Sequence, residues 1–257
     1  DHVTVVGEEM VAGGLQGMLI TKGFAEEYQV WTLEDLDNNA DAIAAYDATD
    51  ANPGNGMVDI MGCPEDWTCD NIINSQLAGG GYKNLVQVKA GYDAMWAQAV
   101  DMVNEGLPVV AYTWTPSAYI TQIRPGDNAY WIGMDYVLDD SNPMGQDGGE
   151  AWDQRPGTAA ISAEMCPART ADDLCPIGWV AADIKAAANN DFMSANPAAA
   201  QLLTDIKLSV MDVSVANVAQ GEGADPKDLA ADWIAGNRST VDGWLDACLL
   251  YTSPSPR

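Results

Sequence analysis

The sequence predicts an α/β fold, and three stretches carry that prediction. The first is G-Y-D-A-M-W-A-Q-A-V-D-M-V-N-E-G (91–106) followed at once by L-P-V-V-A-Y-T-W. Tyr92, Met95, Trp96, Ala99, Met102 and Val103 recur at helical spacing and Gly106 stops the helix. The run after it is a buried strand, bounded by Pro108 and by the turn at Thr115-Pro116. A helix feeding such a strand is half of a βαβ unit, which favours a mainly parallel sheet. The second stretch is H-V-T-V-V, a short strand near the start. The third is the helical last third, where Asn196-Pro197 and Asp225-Pro226 each offer an N-cap with proline at the first helical position. Leu229, Trp233 and Ile234 form the apolar face of the second of these helices. Between the strand and helix groups, G-W-V-A-A-D-I (178–184) reads as a strand.

Length and charge narrow the function. The 257 residues suffice for one large domain or two lobes. No apolar run is long enough to form a transmembrane helix. Eleven basic residues against 38 acidic ones give a net charge of −27, which disfavours nucleic acid and anionic membrane surfaces. The acids are scattered, as on a surface suited to a salty medium.

Cysteines stand at 63, 69, 166, 175 and 248. The two close pairs suggest Cys63–Cys69 and Cys166–Cys175 disulfides and an oxidising compartment. Zinc fits poorly: the spacings are not those of a zinc ribbon and the sole histidine is His2. Residues 248–257, C-L-L-Y-T-S-P-S-P-R, read as the translation of a transposase sequencing adapter. With Asp1 in place of a starting methionine, this leads us to expect a fragment clipped at both ends.

Residues 47–59, D-A-T-D-A-N-P-G-N-G-M-V-D, are rich in oxygen-bearing side chains. Asp50, Asn52, Asn55 and Asp59 could crowd oxygens around calcium, but the glycines are not placed as in an EF-hand. The stretch therefore reads as an acidic turn, with no metal and no cofactor expected. Residues 139–176 form a long polar connection of the kind that is usually functional or accessory.

Catalytic constellations are absent from the sequence: no nucleophile elbow, no phosphate loop, and no histidine beyond His2. Tryptophan is over-supplied, with nine against two phenylalanines. Trp96, Trp233 and Trp244 read as core. Trp67 and Trp114 differ. Trp67 hangs on a loop between two close cysteines, and Trp114 ends a strand, where open α/β sheets bind ligands.

G-C-P-E-D-W-T-C-D-N-I-I-N-S-Q-L (62–77) and G-L-P-V-V-A-Y-T-W-T-P (106–116) resemble the periplasmic substrate-binding proteins of glycine betaine/proline betaine ABC importers. The likeness continues through N-P-A-A-A-Q-L-L to S-T-V-D-G-W-L-D-A, nearly the whole chain up to Ala247. The resemblance implies a type II periplasmic-binding fold, two lobes joined by a hinge, with residues 1–23 and 137–247 in an incomplete first lobe and 24–136 in the second. It implies a ligand-binding, non-enzymatic, monomeric protein outside the cytoplasm that delivers a betaine-like solute to a membrane permease. Trp67 and Trp114 match two tryptophans of the family's quaternary-ammonium cage. Thr68 and Cys69 match backbone N–H donors to the ligand carboxylate. The family's third cage tryptophan and a carboxylate-binding histidine belong to an earlier W-T-P segment, and only one W-T-P occurs in this chain.

The cage makes physical sense. A trimethylammonium group has no N–H to donate, so it is recognised by indole faces, each worth about 0.5–2 kcal/mol. A carboxylate is favoured at a helix N-terminus, and C-D-N-I-I-N-S-Q-L reads as a helix starting there. A receptor for choline, carnitine, a sulfonium osmolyte or an amino acid is the alternative ligand class. A secreted hydrolase or a calcium-stabilised structural module is the alternative from another class.

Overall fold

A computed structural model describes residues 2–134 and 157–250, without side chains from 247 onward. The chain forms two compact units. The first takes residues up to Gly14, Pro116–Ala118 and residues from Ala182 on. The second takes Leu15–Thr115 and Tyr119–Ala181.

The second unit contains β2 (Gln16–Thr21), α1 (Lys22–Tyr28), α2 (Leu33–Asn38), α3 (Ala40–Asp47), β3 (Val58–Met61), α4 (Thr68–Gly79), β4 (Leu85–Val88), α5 (Tyr92–Asn104), β5 (Val110–Trp114), β6 (Ala129–Trp131), β7 (Thr158–Ala159) and β8 (Cys175–Pro176). Its sheet has the order β4-β3-β5-β2-β6. β3 runs parallel to β4 and β5, while β2 runs antiparallel to β5 and β6. Four strands therefore point one way and β2 alone points the other. β3 is buried along its whole length, and β5 along all but its last residue. Central strands covered on both faces need such continuous apolar runs.

The elements around the sheet follow from the sequence. Thr32 and Asp35 close a capping box on α2. All six apolar residues predicted to face inward from α5 are buried, and Gly106 ends that helix with φ +75°, a conformation open to glycine. Residues 157–181 belong to this unit rather than to the first: Trp131 N–H donates to the Met165 carbonyl (2.8 Å), Met134 N–H to the Pro176 carbonyl (2.7 Å), and Gln76 Nε2 to the Gly178 carbonyl (2.6 Å). Both predicted disulfides form. Cys166 and Cys175 are fully buried, so this bridge lies in the core of the unit. The packing places β2 with the second unit, whose residues begin at Leu15, because β2 pairs with both β5 and β6 of this sheet.

The first unit contains β1 (Val3–Gly14), β9 (Ala182–Asn189), α6 (Asn190–Ala195), α7 (Pro197–Asp205), α8 (Val210–Gly221), α9 (Pro226–Gly236) and α10 (Arg238–Leu250). β1 and β9 pair antiparallel with irregular register. The predicted strand at 178–184 begins only at Ala182, because Gly178 turns at φ +75° and sends Trp179 into the core of the second unit. Asp225 caps α9 as predicted, accepting from Lys227 N–H (2.7 Å). Asn196 does not cap α7 with its side chain; its amide turns back to the Phe192 carbonyl (2.9 Å) and closes α6 instead. Trp233 and Trp244 stack on each other at 5.9 Å and stay only half-buried. Of the stretch read as an adapter, residues 251–257 lie outside the described residues, as does Trp152.

Candidate ligand site

The site grows out of the carboxyl end of β3. Gly62 follows that strand, and a Cβ there would come within 2.1 Å of Gln87 Oε1, so only glycine lets the β4 side chain pass. Gln87 uses the space. Its Oε1 accepts from Cys63 N–H (3.1 Å), and its Nε2 donates to Asp70 Oδ1 (2.7 Å). Lys89 Nζ adds an ion pair to Asp70 at 2.7 Å. Both ends of the loop 63–70 are thereby tied to β4, in addition to the Cys63–Cys69 bridge with its Cα atoms 6.0 Å apart.

Within the loop, Trp67 N–H donates to the Pro64 carbonyl (3.0 Å), a tight turn that swings the indole outward. Trp67 is also the N-cap residue of α4, in extended conformation and with no side-chain cap. Its carbonyl takes the Asp70 N–H (3.1 Å). The N–H groups of Thr68 and Cys69 open the helix and have no intrahelical acceptor, as the first turn of any helix requires. They point donors and the positive end of the helix dipole away from the helix start.

Trp114 arrives from β5. Its neighbour Thr115 fixes the strand end against Leu15: Thr115 N–H donates to the Leu15 carbonyl (2.9 Å) and Thr115 Oγ1 accepts from Leu15 N–H (3.0 Å). The ring centroids of Trp67 and Trp114 lie 5.7 Å apart at an interplanar angle of 65°. The two tryptophans singled out from the sequence are therefore brought together, beside the helix start formed by Thr68 and Cys69.

Two tyrosines complete the cluster. Tyr92, the first residue of α5, stacks on Trp67 at 5.3 Å and 19°, and meets Trp114 at 5.1 Å. Tyr119 meets Trp114 edge-on at 5.2 Å and Tyr92 at 4.8 Å. Trp96 lies behind Tyr92 and Tyr119, at 5.9 and 5.3 Å. Burial falls outward through the stack: Trp96 is 3% exposed, Tyr92 5% and Trp67 38%. Sequence periodicity placed Tyr92 on a buried helix face but gave no sign of what it backs. Tyr119 lies in a short 3-10 turn and carried no sequence signal.

The cluster is uncharged except at one margin. Tyr92 donates to the Tyr112 carbonyl (2.7 Å), and burial pushes its phenol far above the usual range. Tyr119 donates to Asp93 Oδ1 (2.6 Å); burial and the Asp93 carboxylate push its phenol up to about 12. Both rings stay neutral at physiological pH, so the site offers π faces that do not titrate there. Among the described residues no three His, Cys, Asp or Glu side chains converge on a metal position.

A family model described as the substrate-binding domain of ABC-type glycine betaine transport systems, OpuAC, matches residues 1–236. The glycine betaine/proline betaine-binding periplasmic protein of Escherichia coli is 28% identical over 248 residues, covering 93% of this chain and 66% of that one. The glycine betaine-binding periplasmic protein OusX of Dickeya dadantii is 29% identical over 242 residues, covering 92% and 65%. The chain thus spans about two thirds of the length of these relatives. Among solved structures, an ABC-transporter choline-binding protein in complex with choline superposes with a TM-score of 0.53 at 17% identity, covering 95% of this chain and 67% of that one. Lactococcal OpuAC in its closed form with glycine betaine superposes with a TM-score of 0.52 at 15% identity, covering 95% and 71%. At these identities the superpositions speak for the fold alone, which is that of the type II periplasmic-binding proteins. By its sequence and its fold, the chain belongs to the OpuAC family of substrate-binding domains from ABC-type glycine betaine transport systems.

Proposed function

We propose that this chain binds glycine betaine or a closely related quaternary-ammonium osmolyte outside the cytoplasm and delivers it to the permease of an ABC importer. The observation that carries the reading is the cluster of Trp67, Tyr92, Trp114 and Tyr119 beside the first turn of α4. Trp67 and Trp114 face the methylated cation. The N–H groups of Thr68 and Cys69 receive the carboxylate. The two halves of a betaine are thereby met by the two kinds of partner each requires. The periplasmic location of the curated relatives and the two disulfides support an oxidising, extracytoplasmic setting. The role is recognition and delivery, with no chemical conversion.

The ligand is tested by calorimetric titration of the full-length polypeptide with glycine betaine, choline and glycine. Betaine should bind most tightly. Choline keeps the onium head but lacks the carboxylate, so it should bind at least tenfold more weakly. Glycine carries a strongly hydrated primary ammonium that the rings cannot recompense, and should show no measurable heat. Glycine binding as tightly as betaine would make this an amino-acid receptor.

A further inference from the structure

The loop between α3 and β3 carries negative charge that nothing in it balances. Asp47 is satisfied: its carboxylate accepts from the N–H groups of Gly54 (2.9 Å), Asn55 (3.0 Å) and Gly56 (3.1 Å). Asp50 accepts from Asn52 N–H (3.1 Å) and Asp59 N–H (3.2 Å). Asp59 is different. It is 1% exposed, at the second position of β3. Its Oδ2 accepts from Asn52 Nδ2, and its Oδ1 is buried with no donor at all. Among the described residues no Lys, Arg or His pairs with Asp47, Asp50 or Asp59. A buried carboxylate oxygen without a partner is costly, and native proteins meet that cost with a hydrogen bond or a cation.

We infer that the 50–59 loop holds a calcium ion on the Asp50 and Asp59 carboxylates and the Asn52 amide oxygen, with peptide carbonyls of the turn completing the shell; the Asn55 amide oxygen is spent on the Met57 N–H (2.7 Å). The donor set is all oxygen, as a hard cation requires. Asn52 already lies against Asp59; a half-turn of its amide presents oxygen where nitrogen now sits. Gly54 and Gly56 have φ of +85° and +77°, which frees the backbone to turn carbonyls inward. A loose loop with mixed oxygen donors suits calcium, which takes six to eight ligands, better than magnesium with its strict octahedron. Two carboxylates place the affinity with extracellular modules, at a Kd of about 10⁻⁴–10⁻³ M. The ion would brace the start of β3, whose other end leads into Cys63 and the ligand loop.

The test is thermal unfolding of the full chain in EDTA, in 10 mM calcium and in 10 mM magnesium, beside the Asp59→Asn variant. Calcium should raise the wild-type Tm by about 3 °C or more, and magnesium should leave it near the EDTA value. Asp59→Asn should abolish the calcium increment without lowering the Tm in EDTA, since it removes an unpaired buried charge and keeps the shape. Should that variant fail to fold, terbium luminescence of the wild type, sensitised through Tyr46 and reversed by calcium, gives the same answer. No calcium increment in the wild type, a full increment in Asp59→Asn, or terbium emission that calcium does not displace would each overturn the inference.

Discussion

Tyr92 shows how one residue packs the core and backs the proposed cage. Its ring is stacked between Trp67 and Trp96, at interplanar angles of 19° and 17°, and its hydroxyl is anchored on the Tyr112 carbonyl. The inner face of Trp67 is therefore occupied, and only its outer face is left for a ligand. Tyr92→Phe removes one buried hydrogen bond but keeps the stack. It should cost about 1 kcal/mol of stability in urea unfolding and change betaine affinity less than threefold. Tyr92→Ala removes the backing itself, and should cost about 3–5 kcal/mol and at least tenfold in affinity. Equal affinity losses in the two variants would mean that the hydroxyl, not the stacked ring, positions Trp67. The sequence marks Tyr92 as inward-facing through its helical spacing. What a buried face packs against is a long-range fact that periodicity does not carry.

At the level of elements, the proposed ligand loop is a β3–α4 connection held three ways: by the Cys63–Cys69 bridge, by Gln87, and by the Asp70–Lys89 pair. A bridge across so few residues removes little unfolded-state entropy, about 2 kcal/mol by the loop-closure relation. Replacing both cysteines, Cys63→Ser with Cys69→Ser, should therefore lower Tm by only a few degrees while weakening betaine binding at least tenfold, because the turn that carries Trp67 loosens. Unchanged affinity would reduce the bridge to a simple staple. The helices α4 and α5, the strand β5 and both disulfides are legible in the sequence, since apolar spacing, glycine stops and cysteine pairs are local signals. Three features are not. Residues 178–181 look like strand because Trp179 and Val180 are apolar, yet Gly178 breaks the extended path. Asn196 looks like a cap for α7 but spends its amide on α6. β2 looks like part of an opening segment, and its place between β5 and β6 is decided by pairing with residues about a hundred positions away.

Across the whole molecule the hydrophobic core is unevenly shared. Its continuous cluster runs from Met18 to Trp179, entirely within the second unit. Among the described residues of the first unit, only Met10, Ala188 and Val241 are buried apolar side chains, while Val3, Val5, Val11, Phe192, Met211 and Val215 are exposed. The aromatic cluster and the ligand loop, by contrast, rest wholly on the well-packed second unit. The proposed cage can therefore be probed through residues whose framework is secure. The most direct measurement is calorimetric titration of glycine betaine into the full-length polypeptide and its Trp67→Ala and Trp114→Ala variants. Each substitution should weaken binding at least tenfold, about 1.4 kcal/mol, within the range of one indole–cation contact. Betaine affinity unchanged in both variants would contradict the cage.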